Sequence, residues 1–247
     1  MRIIVNPTWR CNFSCPYCWV RAIGWHKLYK REQERDSRDW AKWIAQLPAN
    51  SSIDFSGGEP LMYPHMVRLL HWCAENRVKW AITTNLSDAT DWRGLTSEHI
   101  PGCLAVNVSV HPQSPKDLAW RVEALRNAGY PAYVNTVIHP DAPKLGSFGN
   151  TPVHRIPYQP WQEQMALDGK QRVCTAGVAH VACDPLGRVY RCLVAMQTGQ
   201  EPLGTIDQPL QETLLKESTG CDFGCSTCYT DSPGAWAVVM KELSCGA

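Results

Sequence analysis

The stretch Cys11-Asn12-Phe13-Ser14-Cys15-Pro16-Tyr17-Cys18 decides how this chain is read. It follows a short apolar run, Ile3-Ile4-Val5, and sets three cysteines within eight residues. Thiolates are soft ligands suited to iron–sulfur clusters or to zinc. Fully extended, Cys11 and Cys18 lie at most roughly 25 Å apart, so the loop has to curl for all three to meet one metal centre. In a four-iron cluster, three local thiolates leave one iron without a protein ligand from this loop. An open coordination position serves catalysis, whereas structural sites are normally closed.

Downstream, the pattern alternates between short apolar runs and amphipathic segments. Ser37 reads as an N-cap, and Trp40, Trp43, Ile44 and Leu47 follow at helical spacing until Pro48. Ile53-Asp54-Phe55 reads as a strand that runs into Ser56-Gly57-Gly58-Glu59-Pro60. Met66, Leu69, Leu70 and Cys73 mark a helix, with Cys73 as a small buried apolar residue. Further strands are expected over 80–84, 104–111, 130–139 and 153–157, with a helix marked by Leu118, Val122 and Leu125. In the fourth strand Leu104, Val106, Val108 and Val110 point one way, and Ala105, Asn107, Ser109 and His111 the other. A strand of a parallel α/β sheet is usually apolar on both faces, so this polar row predicts a lined cavity. The βα repeat implies a parallel sheet with right-handed crossovers. Six units are too few for a complete eight-fold barrel, and functional groups in such sheets lie at the C-terminal ends of the strands. Glycines after a strand let a backbone approach a ligand closely.

The Cys-x3-Cys-x2-Cys spacing, with an aromatic before its last cysteine, resembles the radical S-adenosylmethionine (SAM) enzymes. Gly57-Gly58-Glu59-Pro60, about forty residues on, resembles the Gly-Gly-Glu-Pro motif of the same family. The resemblance implies an α/β partial (β/α)6 barrel over residues 1–160. It implies Cys11, Cys15 and Cys18 as ligands of a 4Fe–4S cluster whose open iron binds SAM. Reductive cleavage of SAM there would give a 5′-deoxyadenosyl radical that abstracts hydrogen from a substrate. Tyr17 is implied near the adenine, and Gly57, Gly58 and Glu59 at the amino group of SAM. Asn85, on the same rim, is implied as a further SAM-binding residue, and Asn107, Ser109 and Asn135 are implied at the ribose and carboxylate. His111 and His139 are expected either to face substrate or simply to end their strands. A non-catalytic iron–sulfur or zinc binding module that senses redox state or scaffolds a partner is the other reading.

From Cys174 onward the composition changes, with seven of the twelve cysteines in this part. His180–Asp184 and Arg188–Arg191 read as a hairpin around Pro185-Leu186-Gly187. Cys174-x12-Gly187-x4-Cys192 resembles the opening of the SPASM and shorter twitch extensions, which carry auxiliary 4Fe–4S clusters. The resemblance implies a small twitch-like domain over 161–247. Cys174, Cys192, Cys225 and Cys228 are its implied ligands and Cys221 a substitute ligand. Cys183 is expected to be structural, and Cys245 is left over. Metal–thiolate binding exceeds the cost of closing so long a loop, so spacing does not separate iron from zinc.

The formal charge is +1, which gives no electrostatic footprint for nucleic acid or an anionic membrane. No apolar run approaches the roughly 20 residues of a membrane span, and the N-terminus lacks the apolar length of a signal peptide. A cytoplasmic enzyme with metal-bound thiols is therefore expected. The residues from Trp19 to Arg38 alternate Lys27, Lys30, Arg31 and Arg35 with Glu32, Glu34 and Asp36. That pattern reads as a solvated face, or as a lid with Trp25 and His26 at its tip. The extension resembles maturases of ribosomally made peptides; oxidation of a small molecule such as an aminocyclitol is the alternative. With strand one beginning at Ile3, a separate leader-peptide recognition protein is expected, together with a reductase, flavodoxin or ferredoxin as electron donor.

Overall fold

The computed structural model describes residues 1–28, 30–144, 146–157, 173–174 and 176–220. Six strands follow one another in parallel: β1 (Arg2–Val5), β2 (Ser52–Phe55), β3 (Lys79–Thr84), β4 (Cys103–Val110), β5 (Ala132–Ile138) and β6 (Val153–Pro157). Between them lie α1 (Trp19–Ala22), α2 (Trp25–Leu28), α3 (Ser37–Ile44), α4 (Met66–Glu75) and α5 (Leu118–Asn127). After β6 come β7 (Val173–Cys174), β8 (His180–Cys183), β9 (Arg188–Tyr190), α6 (Leu193–Gln197), β10 (Gly204–Thr205) and β11 (Thr219–Gly220).

The expected βα succession holds, and the sheet continues beyond it. The nine strands run in the order β10-β9-β8-β1-β2-β3-β4-β5-β6. β8 lies parallel to β1 with Ile3 beside Val181 and Val5 beside Cys183, while β9 and β10 return antiparallel. The hairpin read around Pro185-Leu186-Gly187 thus hydrogen-bonds directly onto the first strand. A separate two-stranded ladder pairs β7 with β11, with Cys174 opposite Thr219.

Side-chain alternation divides the sheet into two faces. The outer face packs Ile3, Val5, Ile53, Phe55, Trp80, Ile82, Val106 and Val108 against the helices. The helices contribute Trp40, Trp43 and Ile44 of α3, Leu69, Leu70 and Cys73 of α4, and Val122 and Leu125 of α5. Burial of apolar surface on this scale is the main favourable term in the fold. Cys73 and Cys183 are fully buried here and behave as small apolar residues. The inner face carries Asp54, Ala81 and Ala105 in register, then Thr83 beside Asn107 and Ser109 beside Asn135. Small residues low on the inner face and polar ones near the strand ends line that side of the sheet.

Three local expectations are corrected. Leu104 does not join the outer valines: the ladder slips between Trp80 and Ala81, and Leu104 packs with Ala81, Ala105 and Tyr133 on the inner face. The cap of α3 is Asp36, whose side chain accepts from Arg38 N at 2.9 Å, while Ser37 is buried one position inside. That helix ends at Ile44, before Pro48 is reached.

Trp80 is fully buried at the centre of this layer. Trp80→Ala should cost about 3–5 kcal/mol through lost burial and the cavity left behind. Urea unfolding of the anaerobic protein measures it, and a loss below about 1 kcal/mol would contradict this account of the core.

Candidate functional site

The rim begins where β1 ends. Asn6 continues the strand: its backbone N donates to Cys183 O at 3.0 Å and its Nδ2 to the same oxygen at 2.9 Å. Thr8, Trp9 and Arg10 then lead into Cys11. The turn after β2 lies against this run. Gly58 N donates to Thr8 O at 2.9 Å and Glu59 N to Arg10 O at 2.7 Å, so the ladder between the first two strands is carried past their ends. A Cβ on Gly58 would stand 2.2 Å from Arg10 O, and one on Gly57 2.6 Å from Thr8 O. Gly57 also has φ +116°, a region that side chains disfavour. The sequence assigns these glycines a close approach to a ligand; the approach the structure adds is to the backbone that carries the cysteines.

Glu59 points inward and is 1% exposed. Its carboxylate accepts from Leu61 N at 3.1 Å, Thr84 Oγ1 at 2.7 Å and Asn85 N at 2.7 Å. Burial pushes its pKa up to about 7, against the pull of these three donors. Glu59 therefore ties the end of β2 to the end of β3 and holds Asn85. Asn85 in turn reaches the cysteine loop, with Nδ2 at 3.1 Å from Asn12 Oδ1 and 3.9 Å from Cys11 Sγ.

The other side of the rim is aromatic. Tyr17 Oη lies 3.2 Å from His111 Nδ1, and its ring centre is 5.2 Å from that of His139. Phe13 meets His111 edge-on. Burial pushes the His111 pKa down to about 4, which keeps the imidazole neutral near pH 7. Gln113, in the loop after β4, lies with Oε1 3.8 Å from Cys15 Sγ. Further round the inner face, Asn107 Nδ2 is 3.5 Å from Ile82 O. Asn135 is buried, and its Oδ1 has no hydrogen-bond partner among the described residues.

The thiols themselves are short of compensating positive charge. Cys11 is exposed at the surface, yet the protein around it shields it enough from water to push its thiol up to about 11, and Glu59 and then Cys18 raise it further; Cys15 is buried, which pushes it to about 12, with Cys18 and Cys11 adding to the rise. Arg21 is the cation that pulls them down, and it does so weakly. A cationic body among the three would relieve that repulsion. Among the described residues, no three His, Cys, Asp or Glu side chains gather as a site for one metal ion.

The charged segment behind the loop is a brace. Arg10 grips Glu34 through two contacts of 2.9 and 3.1 Å and donates to Met62 O, while Thr8 Oγ1 donates to Glu34 Oε1 at 2.5 Å. Glu34 is thus a buried anchor, whereas Lys27, Lys30 and Glu32 are exposed as the charge pattern predicts. Trp25 does not sit at a tip. It packs with Trp9 and Trp19 at centroid distances of 4.7 and 5.7 Å, beside Tyr190 and Met196 of the C-terminal hairpin region.

Sequence reasoning missed Asn12, Glu34, Ser87 and Gln113. Asn12, Ser87 and Gln113 carried a signal, since each lies within two residues of a residue already singled out, Cys11, Asn85 and His111. Of the second cysteine set, Cys192 caps α6 with Sγ accepting from Ala195 N at 3.3 Å, and Cys174 lies on β7. Cys221 directly follows β11; it, Cys225, Cys228 and Cys245 lie outside the described residues.

Residues 5–143 match the model of the radical SAM superfamily, more than half of the chain, and the chain belongs to that superfamily. A curated relative, 7,8-dihydro-6-hydroxymethylpterin dimethyltransferase of Methanocaldococcus jannaschii, is 31% identical over 68 residues, which is 26% of this chain and 13% of that protein. Streptococcus suis SuiB bound to S-adenosylmethionine superposes with a TM-score of 0.60 at 14% identity, covering 87% of this chain and 65% of that one. BtrN in complex with AdoMet and 2-DOIA gives 0.55 at 17% identity, covering 86% and 80%. The enzyme anSMEcpe with bound AdoMet and Cp18Cys peptide gives 0.57 at 15% identity, covering 86% and 79%. At these identities the likeness is one of fold.

Replacing Gly58 with alanine should destabilise the protein by about 1–3 kcal/mol or more, because backbone atoms have to move. Gly146→Ala, where nothing stands within 4 Å of the added carbon, should stay within about 0.5 kcal/mol of the parent. Equal effects in urea unfolding would contradict the contact described here.

Proposed function

We propose that this chain is a radical SAM enzyme in which Cys11, Cys15 and Cys18 hold a 4Fe–4S cluster at the C-terminal rim of the barrel. The observation that carries this reading is the thiol loop itself: three soft donors within eight residues follow β1 at its C-terminal end, on a backbone run that the Gly57–Glu59 turn hydrogen-bonds. With SAM bound, the cluster supplies the electron that generates a 5′-deoxyadenosyl radical.

The chain's own residues have distinct parts in this reading. Gly57 and Gly58 set the height of the loop against β2, and their backbone, with Glu59, borders the place for the amino group of SAM. Asn107, Ser109 and Asn135 line the inner face for its ribose and carboxylate, and the unpaired Asn135 Oδ1 suits a hydroxyl donor. Tyr17, held by His111 and His139, borders the adenine. Phe13, Tyr17 and His111 on the aromatic side limit the water beside a site where an unquenched radical must survive.

The favoured substrate is a ribosomally synthesised peptide. Supporting it, two solved neighbours hold peptides: SuiB bound to precursor peptide SuiA, and anSMEcpe with its Cp18Cys peptide. Oxidation of a small aminocyclitol-like molecule is the second reading, favoured by the likeness to BtrN in complex with 2-DOIA. Cys174, Cys192, Cys225 and Cys228, with Cys221 in reserve, hold an auxiliary 4Fe–4S cluster in a twitch-like domain over 161–247. The β7–β11 ladder supports this, since it brings the strand of Cys174 to the residues just before Cys221. A separate leader-recognition protein and a flavodoxin- or ferredoxin-type donor complete the proposed set of partners, in the cytoplasm.

Replacing Cys11, Cys15 and Cys18 together with alanine should abolish release of 5′-deoxyadenosine from SAM under reducing anaerobic conditions. Release at the parental rate in that variant would overturn the catalytic reading. Cys225→Ala should lower iron content by about half and leave SAM cleavage measurable; unchanged iron would remove the auxiliary cluster.

A further inference from the structure

The sulfurs of the loop differ in what faces them. Cys11 Sγ receives two N–H groups, the backbone N of Phe13 at 3.4 Å and Nδ2 of Asn85 at 3.9 Å. Cys15 Sγ faces a carbonyl oxygen of Gln113. Asn85 is 3% exposed, and its amide is held in one orientation. Its Oδ1 accepts from Ser87 N at 2.9 Å, and its Nδ2 also donates to Asn12 Oδ1 at 3.1 Å. Turning the amide over would set its nitrogen against the Ser87 N–H and its oxygen against Asn12 Oδ1. The backbone of the same residue is fixed by Glu59 Oε2. A buried side chain with so many restraints keeps its N–H directed at one thiol.

N–H groups on thiolate sulfur are among the terms that set the potential of an iron–sulfur centre. The reduced centre carries one more negative charge, part of it on sulfur, so an N–H dipole stabilises the reduced state more than the oxidised one. We propose that Asn85 tunes the reduction potential of the centre held by Cys11, Cys15 and Cys18, with Nδ2–H on the Cys11 sulfur, and that Glu59 and Ser87 are its positioning residues. This rests on the cluster reading above. It gives Asn85 a role in the absence of SAM, separate from any contact with that molecule.

The test is a redox titration of the anaerobically reconstituted protein without SAM, followed by electron paramagnetic resonance. The signal of the N-terminal centre is identified by its loss in the variant with Cys11, Cys15 and Cys18 replaced together. Asn85→Leu, which keeps the bulk and removes the N–H, should lower the reduced-to-oxidised ratio at fixed potential about tenfold, equivalent to about 59 mV for a one-electron couple. Asn85→Asp, which sets a carboxylate against the sulfur, should lower it further. Midpoints equal to the parent in both variants, with iron content intact, would overturn the proposal. If the variants fail to take up iron, the parent decides it: asparagine labelled with 15N in its side-chain amide should give a weak 15N coupling to the reduced centre in pulsed measurements. Absence of that coupling overturns the proposal. Absence of any signal dependent on the three cysteines overturns the cluster reading, and this proposal with it.

Discussion

Two backbones meet without side chains between them at the rim, and the arrangement of the site follows from that contact. Gly58 lies so close to the backbone of Trp9 and Arg10 that any side chain would have to displace it, and Glu59 N closes the ladder on Arg10 O. The loop bearing Cys11, Cys15 and Cys18 is therefore registered against β2 at its root. On one side Arg10 and Thr8 are held by Glu34; on the other Glu59 reaches through Asn85 to the loop itself. The motif after β2 and the cysteine motif, far apart in sequence, act as a single mechanical piece.

Glu59 is the clearest case of one residue serving fold and site together. Its carboxylate is almost wholly removed from water, which costs free energy unless its lone pairs are filled. Leu61, Thr84 and Asn85 fill them, and each of these bonds also fixes the backbone at the end of β2 or β3.

Much of this was legible in the sequence because it depends on local periodicity. The alternation in β4 separated Val106, Val108 and Val110 from Asn107 and Ser109, and the ladders confirm the two faces. Leu104 broke the pattern because a bulge is a property of two strands, which one strand's sequence does not encode. Ser37 and Asp36 are both good caps, and only the backbone conformation of Asp36 decides between them. The burial of Glu34 was hidden for a related reason: its partner Arg10 lies 24 residues earlier, and a run of alternating charges looks the same whether or not one member turns inward. The aromatic brace likewise depends on Trp9 meeting Trp25 across the cysteine loop.

The pairing of β8 with β1 was the least legible feature, since a four-residue strand carries no label for its neighbour. Asn6, five residues ahead of Cys11, is held by the carbonyl of Cys183, and the tryptophans behind the loop rest on Tyr190 and Met196. On the ribosome the first strand emerges long before these supports exist. The sheet's first strand must wait for some 180 further residues before its neighbour β8 is made, a separation that slows folding. A nascent chain stalled before the hairpin would carry its N-terminal thiols on a loop without that support.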